Sequence, residues 1–236
     1  MDLPFDRYTI QARLAPMFVT LLPASFAVAV WIPTGSAVWN YLGTVFISFP
    51  LTALLAQLGR ELGRNKERQL FRLWGGTPTT RLLSHRLSTL NTLTLRRYHE
   101  KLASLLPDLS FLGPTEESAN PAAANQVYDS CVHFLREKTR DAKQFPLVFA
   151  ENINYGFRRN LWALRSFGIA SAAAGIVSCA FFVLKNPQDG NSSSGVVGLL
   201  VSATLLILGL FVFTPSWVRS VAYAYAERLL GVLDNI

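Results

Sequence analysis

The chain has 236 residues, with 22 Lys+Arg against 15 Asp+Glu, a net charge of +7, and only 16% charged residues. A soluble domain usually carries about 25% charge, so this composition excludes a disordered acidic chain and argues against an ordinary soluble enzyme. Two cysteines, Cys131 and Cys179, cannot build a disulfide framework.

The first element is a charge gap. No Lys, Arg, Asp or Glu lies between Arg13 and Arg60, a run of 46 residues broken only by the turn Pro33-Thr34-Gly35-Ser36. About 20 apolar residues cross a bilayer as a helix, so the gap predicts two spans, Leu14–Ile32 and Ala37–Leu58, within an N-terminal segment 1–58. Ala27-Val28-Ala29 resembles a signal-peptidase site, but it lies inside the apolar run, and Asp2 and Asp6 oppose a basic leader, so no cleavage is expected. Pro16, Pro23 and Pro50 are positioned to kink or end these helices. Asn40, Thr44 and Ser48 form a weak polar stripe on the second span, expected to hydrogen-bond a neighbouring helix.

Residues 59–165 form the central insert. The segment 59–166 holds 17 Lys+Arg and 10 Asp+Glu, and the rest of the chain holds 5 of each, so the whole cationic excess is central. Arg60, Arg64, Lys66 and Arg68 follow the second span, and Arg158, Arg159 and Arg165 precede the third. Cations flanking spans stay on the cytoplasmic side, which predicts that the insert and both termini are cytoplasmic. The insert reads as all helical. A helix continues to Trp74 and breaks at Gly75-Gly76-Thr77-Pro78, where Thr77 caps a new helix beginning at Pro78. Leucines at three- and four-residue spacing carry a helix over Arg81–Leu106, interrupted near Ser88–Thr94. Pro107–Ala119 reads as a loop. Asn120 caps a helix from Pro121 to about Lys143, with Val127, Cys131, Phe134 and Leu135 on its apolar face. After Phe145-Pro146, Leu147–Asn160 leads into the third span.

The segment 166–214 holds spans three and four. Phe167–Leu184 and Gly195–Thr214 are charge-free, joined by a Pro/Gly/Asn/Ser loop. Gly168, Ser171, Gly175 and Cys179, with Ala172, share one stripe of span three, where helix backbones can approach closely. It serves either the packing of spans three and four, through Gly195, Gly198 and Ser202, or an oligomer seam between identical subunits. The final segment, 215–236, places Trp217, Val218, Val221, Tyr225, Leu229 and Val232 at helical spacing. It predicts an amphipathic helix lying on the inner membrane surface or against the insert.

The spans hold no ionisable residue, which argues against proton relays and charge-moving sensors. No Walker loop, dinucleotide fingerprint, nucleophile elbow or zinc-ligand spacing occurs, so no catalytic residue, metal or cofactor is expected. His85, His99 and His133 are scattered and read as surface or core residues. Asp129, Glu137, Asp141 and Glu151 show no metal-ligand pattern that would make the chain a lipid-acting membrane enzyme. Nor does +7 call for direct nucleic-acid binding, since orientation against anionic lipid accounts for it.

Two stretches are richer than helix punctuation requires. Gly75, Gly76 and Thr77, opening a helix that carries Arg81, could present backbone N–H groups to an anion. Thr139-Arg140-Asp141, Phe145-Pro146-Leu147 and then Glu151, Asn152, Asn154, Tyr155, Arg158 and Arg159 combine carboxylate, carboxamides, aromatics and guanidinium groups just before a span. Arginine pairs with phosphate and aromatics stack on bases, so a nucleotide messenger would suit this segment. The alternative is positive-inside anchoring by Arg158 and Arg159, with the Asn residues capping a helix junction.

The motifs Trp-Gly-Gly-x-Pro-Thr (Trp74–Thr79), Thr-Arg-Asp (Thr139–Asp141) and Glu-Asn-x-x-Tyr-Gly-Phe-Arg-Arg-Asn-Leu (Glu151–Leu161) resemble those of a set of uncharacterised bacterial four-span membrane proteins. In architecture, the chain is also similar to the membrane effectors of antiphage signalling systems, which implies a nucleotide signal and membrane disruption. The expectation is an all-α integral membrane protein with four transmembrane helices and a helical cytoplasmic insert. It would act as a regulated homo-oligomeric effector or pore in the lipid bilayer, with a membrane-anchored module recruiting a cytoplasmic protein partner as the alternative.

Overall fold

The computed structural model describes residues 6–32, 49–186 and 192–236. The Pro33–Ser36 turn, the Asn40/Thr44/Ser48 stripe, most of the expected second span and most of the loop before span four lie outside the described residues. Among the described residues every regular element is helical. Three of the described helical segments are long and apolar enough to cross a membrane: Thr9–Ala29, Arg165–Lys185 and Ser192–Val212. The chain is a multi-pass membrane protein on that evidence of length and composition.

The chain divides into two compact units, Met1–Glu67 with Gly156–Val218, and Arg68–Tyr155 with Arg219–Ile236. In the first unit a π-helical turn, Thr9–Leu14, leads into α1, Ala15–Ala29. Pro16 sits in the first turn of α1 and Pro23 lies inside it. Proline removes one backbone donor and crowds the preceding turn. The neighbouring backbone N–H of Ala24 donates to Ser171 Oγ at 3.0 Å, on another span. Three further helices reach this unit: α2 (Phe49–Trp74), α7 (Pro146–Ala163) and α8 (Arg165–Lys185). To these is added α9, Ser192–Ile207, which ends in a second π-helical turn, Leu208–Val212.

Helices α1, α8 and α9 pack together because small residues let their backbones close up. A Cβ on Gly175 would collide with Ser202 Oγ and stand 3.0 Å from the Pro23 carbonyl oxygen. One on Gly198 would stand 2.8 Å from Cys179 Sγ. The outward faces carry Phe18, Leu22, Val177, Phe181, Leu184, Leu200 and Phe211, large apolar side chains left exposed by the protein itself. A soluble fold would bury such surface; a lipid-facing one need not.

The second unit is built from α3 (Pro78–Leu83), α4 (Thr92–Leu105), α5 (Pro114–Ala119) and α6 (Pro121–Lys138), with the start of α7 and most of α10 (Pro215–Gly231). Its core joins Leu82, Leu83, Leu102, Tyr128, Cys131 and Leu135 to Ala226, Leu229, Leu230 and Leu233. The C-terminal helix thus completes this core.

Several local expectations need correction. Residues 114–119 are helical: Pro114 stands at the first position, and the Glu116 carboxylate reaches back to accept the Gly113 N–H at 3.0 Å. The next helix ends at Lys138, five residues early, because the Thr139 hydroxyl donates back to the Leu135 carbonyl and Asp141 Oδ1 accepts the Lys143 N–H. Its buried face includes Tyr128 and Val132, while Val127 and Phe134 are half-buried. The break after α3 begins at Ser84, earlier than leucine spacing implied.

Candidate functional site

The Gly75–Thr77 segment is a helix junction. Gly75 has φ 73° and Gly76 φ 130°, values that favour glycine. The Gly76 N–H donates to the Phe71 carbonyl at 2.8 Å and the Gly75 N–H to the Arg72 carbonyl at 3.3 Å. This is the Schellman pattern that closes a helix C-terminus. Thr77 Oγ1 then accepts the Thr80 N–H at 3.3 Å and starts α3. The Gly75 and Gly76 donors expected to cradle an anion are therefore spent on ending α2, and Pro78 has no N–H to add. Arg81 is committed as well, donating from Nε to the Tyr223 hydroxyl at 3.0 Å and from Nη1 to the Gly75 carbonyl at 3.3 Å.

The second rich stretch lies on α7 and is divided by the unit boundary. Glu151, Asn152, Asn154 and Tyr155 belong with residues 68–155, and Arg158 and Arg159 with the spanning helices. Both arginines are engaged within the chain. Arg158 donates from Nη1 to the Trp217 carbonyl at 3.1 Å, its guanidinium 4.7 Å from that indole's centroid. Arg159 pairs through Nη1 with Glu67 Oε1 at 2.8 Å and donates from Nε to Asn160 Oδ1 at 3.3 Å. Tyr155 stacks parallel to Tyr225, centroids 6.3 Å apart. Asn152 is half-buried and Asn154 exposed. The guanidinium groups expected to read a phosphate thus hold the helices of their own unit.

Gly168, Ser171, Gly175 and Cys179 are likewise turned towards other helices of the same chain. Gly168 approaches Thr20, Ser171 accepts from Ala24, Gly175 meets Ser202 and Pro23, and Cys179 meets Gly198. The stripe serves intrachain packing. Arg165 caps carbonyls of the π turn that ends α9, donating to the Gly209 oxygen at 2.7 Å and the Leu210 oxygen at 2.9 Å.

Two polar clusters in the second unit were signalled in part or not at all by the sequence. One surrounds Glu117, which is 4% exposed. Its carboxylate accepts from the Ser84 hydroxyl, from the His85 N–H at 2.8 Å and from the Tyr128 hydroxyl at 2.9 Å. Burial raises its pKa, but these donors together bring it below the ordinary carboxylate value. Beside it His99 Nε2 lies 2.7 Å from the Leu83 carbonyl oxygen, and its ring lies 4.6 Å from that of His85. Burial lowers the His99 pKa, keeping the ring neutral. Ser84 Oγ donates to Glu117 rather than to a histidine, so the group is a satisfied buried network and not a nucleophile with its base.

The other cluster is a cleft of about 470 Å³ between the start of α7 and the second half of α10. Phe145, Pro146, Leu147, Val148 and Val232 supply apolar wall, and Gln144, Glu151, Glu227, Arg228 and Asn235 supply polar groups. That volume falls within the range that encloses small organic ligands. Among the described residues, the side chains of Glu151, Glu227 and Arg228 have no ion pair or hydrogen bond. Of the stretch singled out by sequence for a ligand, Phe145, Pro146, Leu147 and Glu151 line this cleft, and Glu151 is its only ionisable member there. Glu227 and Arg228 stand 76 residues and more further along the chain. Among the described residues no group of three or more His, Cys, Asp or Glu could hold a metal ion.

No known protein family, curated protein or solved structure matches the chain.

Proposed function

We propose that the protein is a regulated effector of the bacterial inner membrane, in which a cytoplasmic signal sensed by the second unit drives its spanning helices to permeabilise the bilayer. The observation carrying this reading is the cleft formed by α7 and α10. It holds Glu151, Glu227 and Arg228, whose side chains have no ion pair or hydrogen bond among the described residues, in a protein that also has three described helices long and apolar enough to cross a membrane. The concentration of Lys+Arg in residues 59–166 supports a cytoplasmic location for this unit and for both termini. Between their ends the described spanning segments carry only Arg13 among Lys, Arg, Asp and Glu, in the first turns of Thr9–Ala29, and nothing deeper that would serve coupled transport.

A conducting path would need several copies. Around Gly175 and Gly198 the α1–α8–α9 bundle is closed to the addition of even one carbon, so no channel runs there through a single chain. The exposed apolar faces of α8 and α9 are the surfaces available for lipid or for a second copy. Antiphage defence is the setting suggested by architecture.

The test uses the full chain reconstituted in dye-loaded liposomes of anionic bacterial lipid. A low-molecular-weight filtrate of phage-infected cells is expected to release dye, and one of uninfected cells is not. Silent liposomes together with a soluble protein co-purifying from cells would establish the anchor reading instead. The exposed Leu73 and Leu93 of the second unit favour that alternative.

A further inference from the structure

We infer that the α7–α10 cleft takes a cationic nitrogen group, an ammonium or a guanidinium, carried on a compact apolar body. The inference rests on reading this cleft as the sensing site and names its ligand chemistry. Its ionisable lining is Glu151, Glu227 and Arg228, a net charge of −1. The unit that contains it has 13 Lys+Arg and 10 Asp+Glu, a net of +3, so the cleft reverses the sign of its surroundings. A polyphosphate entering it would meet two carboxylates and a single guanidinium. A cation would meet two acceptors that owe nothing to other groups. Four of the other eight carboxylates of this unit are already engaged: Glu100 with Arg96, Glu137 with Arg140, Asp234 with Arg97, and Glu117 in its buried network.

The apolar wall limits the rest of the ligand. Leu147 is 59% exposed and lines the cleft beside Phe145, Val148 and Val232. Leucine left this open at the edge of a cavity provides surface for a small hydrocarbon or aromatic body. Gln144 and Asn235 add carboxamides that can hydrogen-bond an N–H without adding charge. The same chemistry is available from a free organic amine and from a Lys or Arg side chain flanked by apolar residues on a partner protein.

The experiment titrates phenethylamine, benzylguanidine and the capped tripeptide Leu-Arg-Leu into the full chain in nanodiscs, followed calorimetrically. Phenethyl alcohol and ATP are controls. Binding by the cationic probes is expected to weaken about tenfold or more in Glu151→Gln and in Glu227→Gln, the scale of a lost charged hydrogen bond. It should weaken further with added salt and hold or tighten in Arg228→Gln. Far-UV circular dichroism checks that each variant is folded. Binding of both free amines points to a small-molecule source; binding of the peptide alone points to a partner protein. Either outcome supports the assignment. ATP binding more tightly than the amines, or amine binding unchanged in both Glu variants, overturns it. Dye release is read in parallel. Glu-dependent amine binding without release leaves the ligand chemistry standing and removes the effector reading. Release triggered by ATP and abolished by Arg228→Gln does the reverse.

Discussion

Arg159 Nη1 lies 2.8 Å from Glu67 Oε1, and the two side chains are only 13% and 21% exposed. They join α7 to α2 within the spanning unit, beside Asn160, whose Nδ2 donates to the Ala12 carbonyl at 2.6 Å. The pair is much less exposed than the other ion pairs of the described residues, each of which involves at least one side chain 57% exposed or more. Solvent screens exposed pairs, so they contribute little. Glu67→Gln is expected to cost about 1.5–3 kcal/mol, the range for a hydrogen bond involving a charge. Reversing the pair, Glu67→Arg with Arg159→Glu, should recover part of the loss of either single reversal. A double-mutant cycle on detergent denaturation measures this.

The small-residue stripe of α8 offers a contrast between neighbouring glycines. Alanine at Gly175 would strike Ser202 and press on the Pro23 backbone, which cannot swing aside. Overpacking of this kind costs about 1–3 kcal/mol. At Gly168 the new Cβ would meet only Thr20 Cγ2, at 3.9 Å. Gly168→Ala should therefore be neutral or stabilising, by up to about 1 kcal/mol of helix propensity. Thermal unfolding in micelles distinguishes the two, and equal tolerance at both sites would show that α8 does not pack this way.

Acid should loosen the second unit in two stages. His99 has its pKa lowered from 6.5 by burial, so below about pH 6.5 the unfolded chain takes up a proton that the folded one refuses. Stability then falls as pH drops. Glu117 has its pKa lowered from 4.5, so its contribution is present above that value and is lost as pH falls through the folded pKa. Hydrogen exchange of α4 and α6 between pH 7 and pH 4 should show progressive loss of protection. His99→Gln should flatten the upper part of the profile and Glu117→Gln the lower.

Removal of residues 219–236 should unfold the second unit. Leu229 and Leu230 are fully buried in its core, with Ala226 and Leu233 beside them. Leu229→Ala or Leu230→Ala is expected to cost about 2–5 kcal/mol. A truncated chain that kept the tertiary hydrogen-exchange protection of α4 and α6 would contradict this.

The helical nature of the chain was legible from residue order because its signals are local. Charge-free runs mark the described spans, Thr77 and Asn120 cap helices through contacts three residues away, and Pro78 and Pro121 begin them. Helix ends were less legible. The end of α6 depends on where the Thr139 hydroxyl and the Asp141 carboxylate find backbone partners, and either residue could equally have continued the helix.

The candidate site was legible at Phe145, Pro146, Leu147 and Glu151, and not at its α10 wall. Composition and charge order alone determined that this is a helical membrane protein with a cationic middle, because bilayer crossing depends on the apolarity of consecutive residues. Tertiary structure decided which polar groups were still available to a ligand. Arg158 and Arg159, the strongest candidates by residue type, are spent on Trp217 and Glu67. Glu227 and Arg228, inconspicuous in an amphipathic tail, reach the cleft because Leu229 and Leu230 bury the other face of α10. Whether a charged side chain is free depends on partners dozens of residues away, and only the folded chain brings those partners within hydrogen-bonding distance.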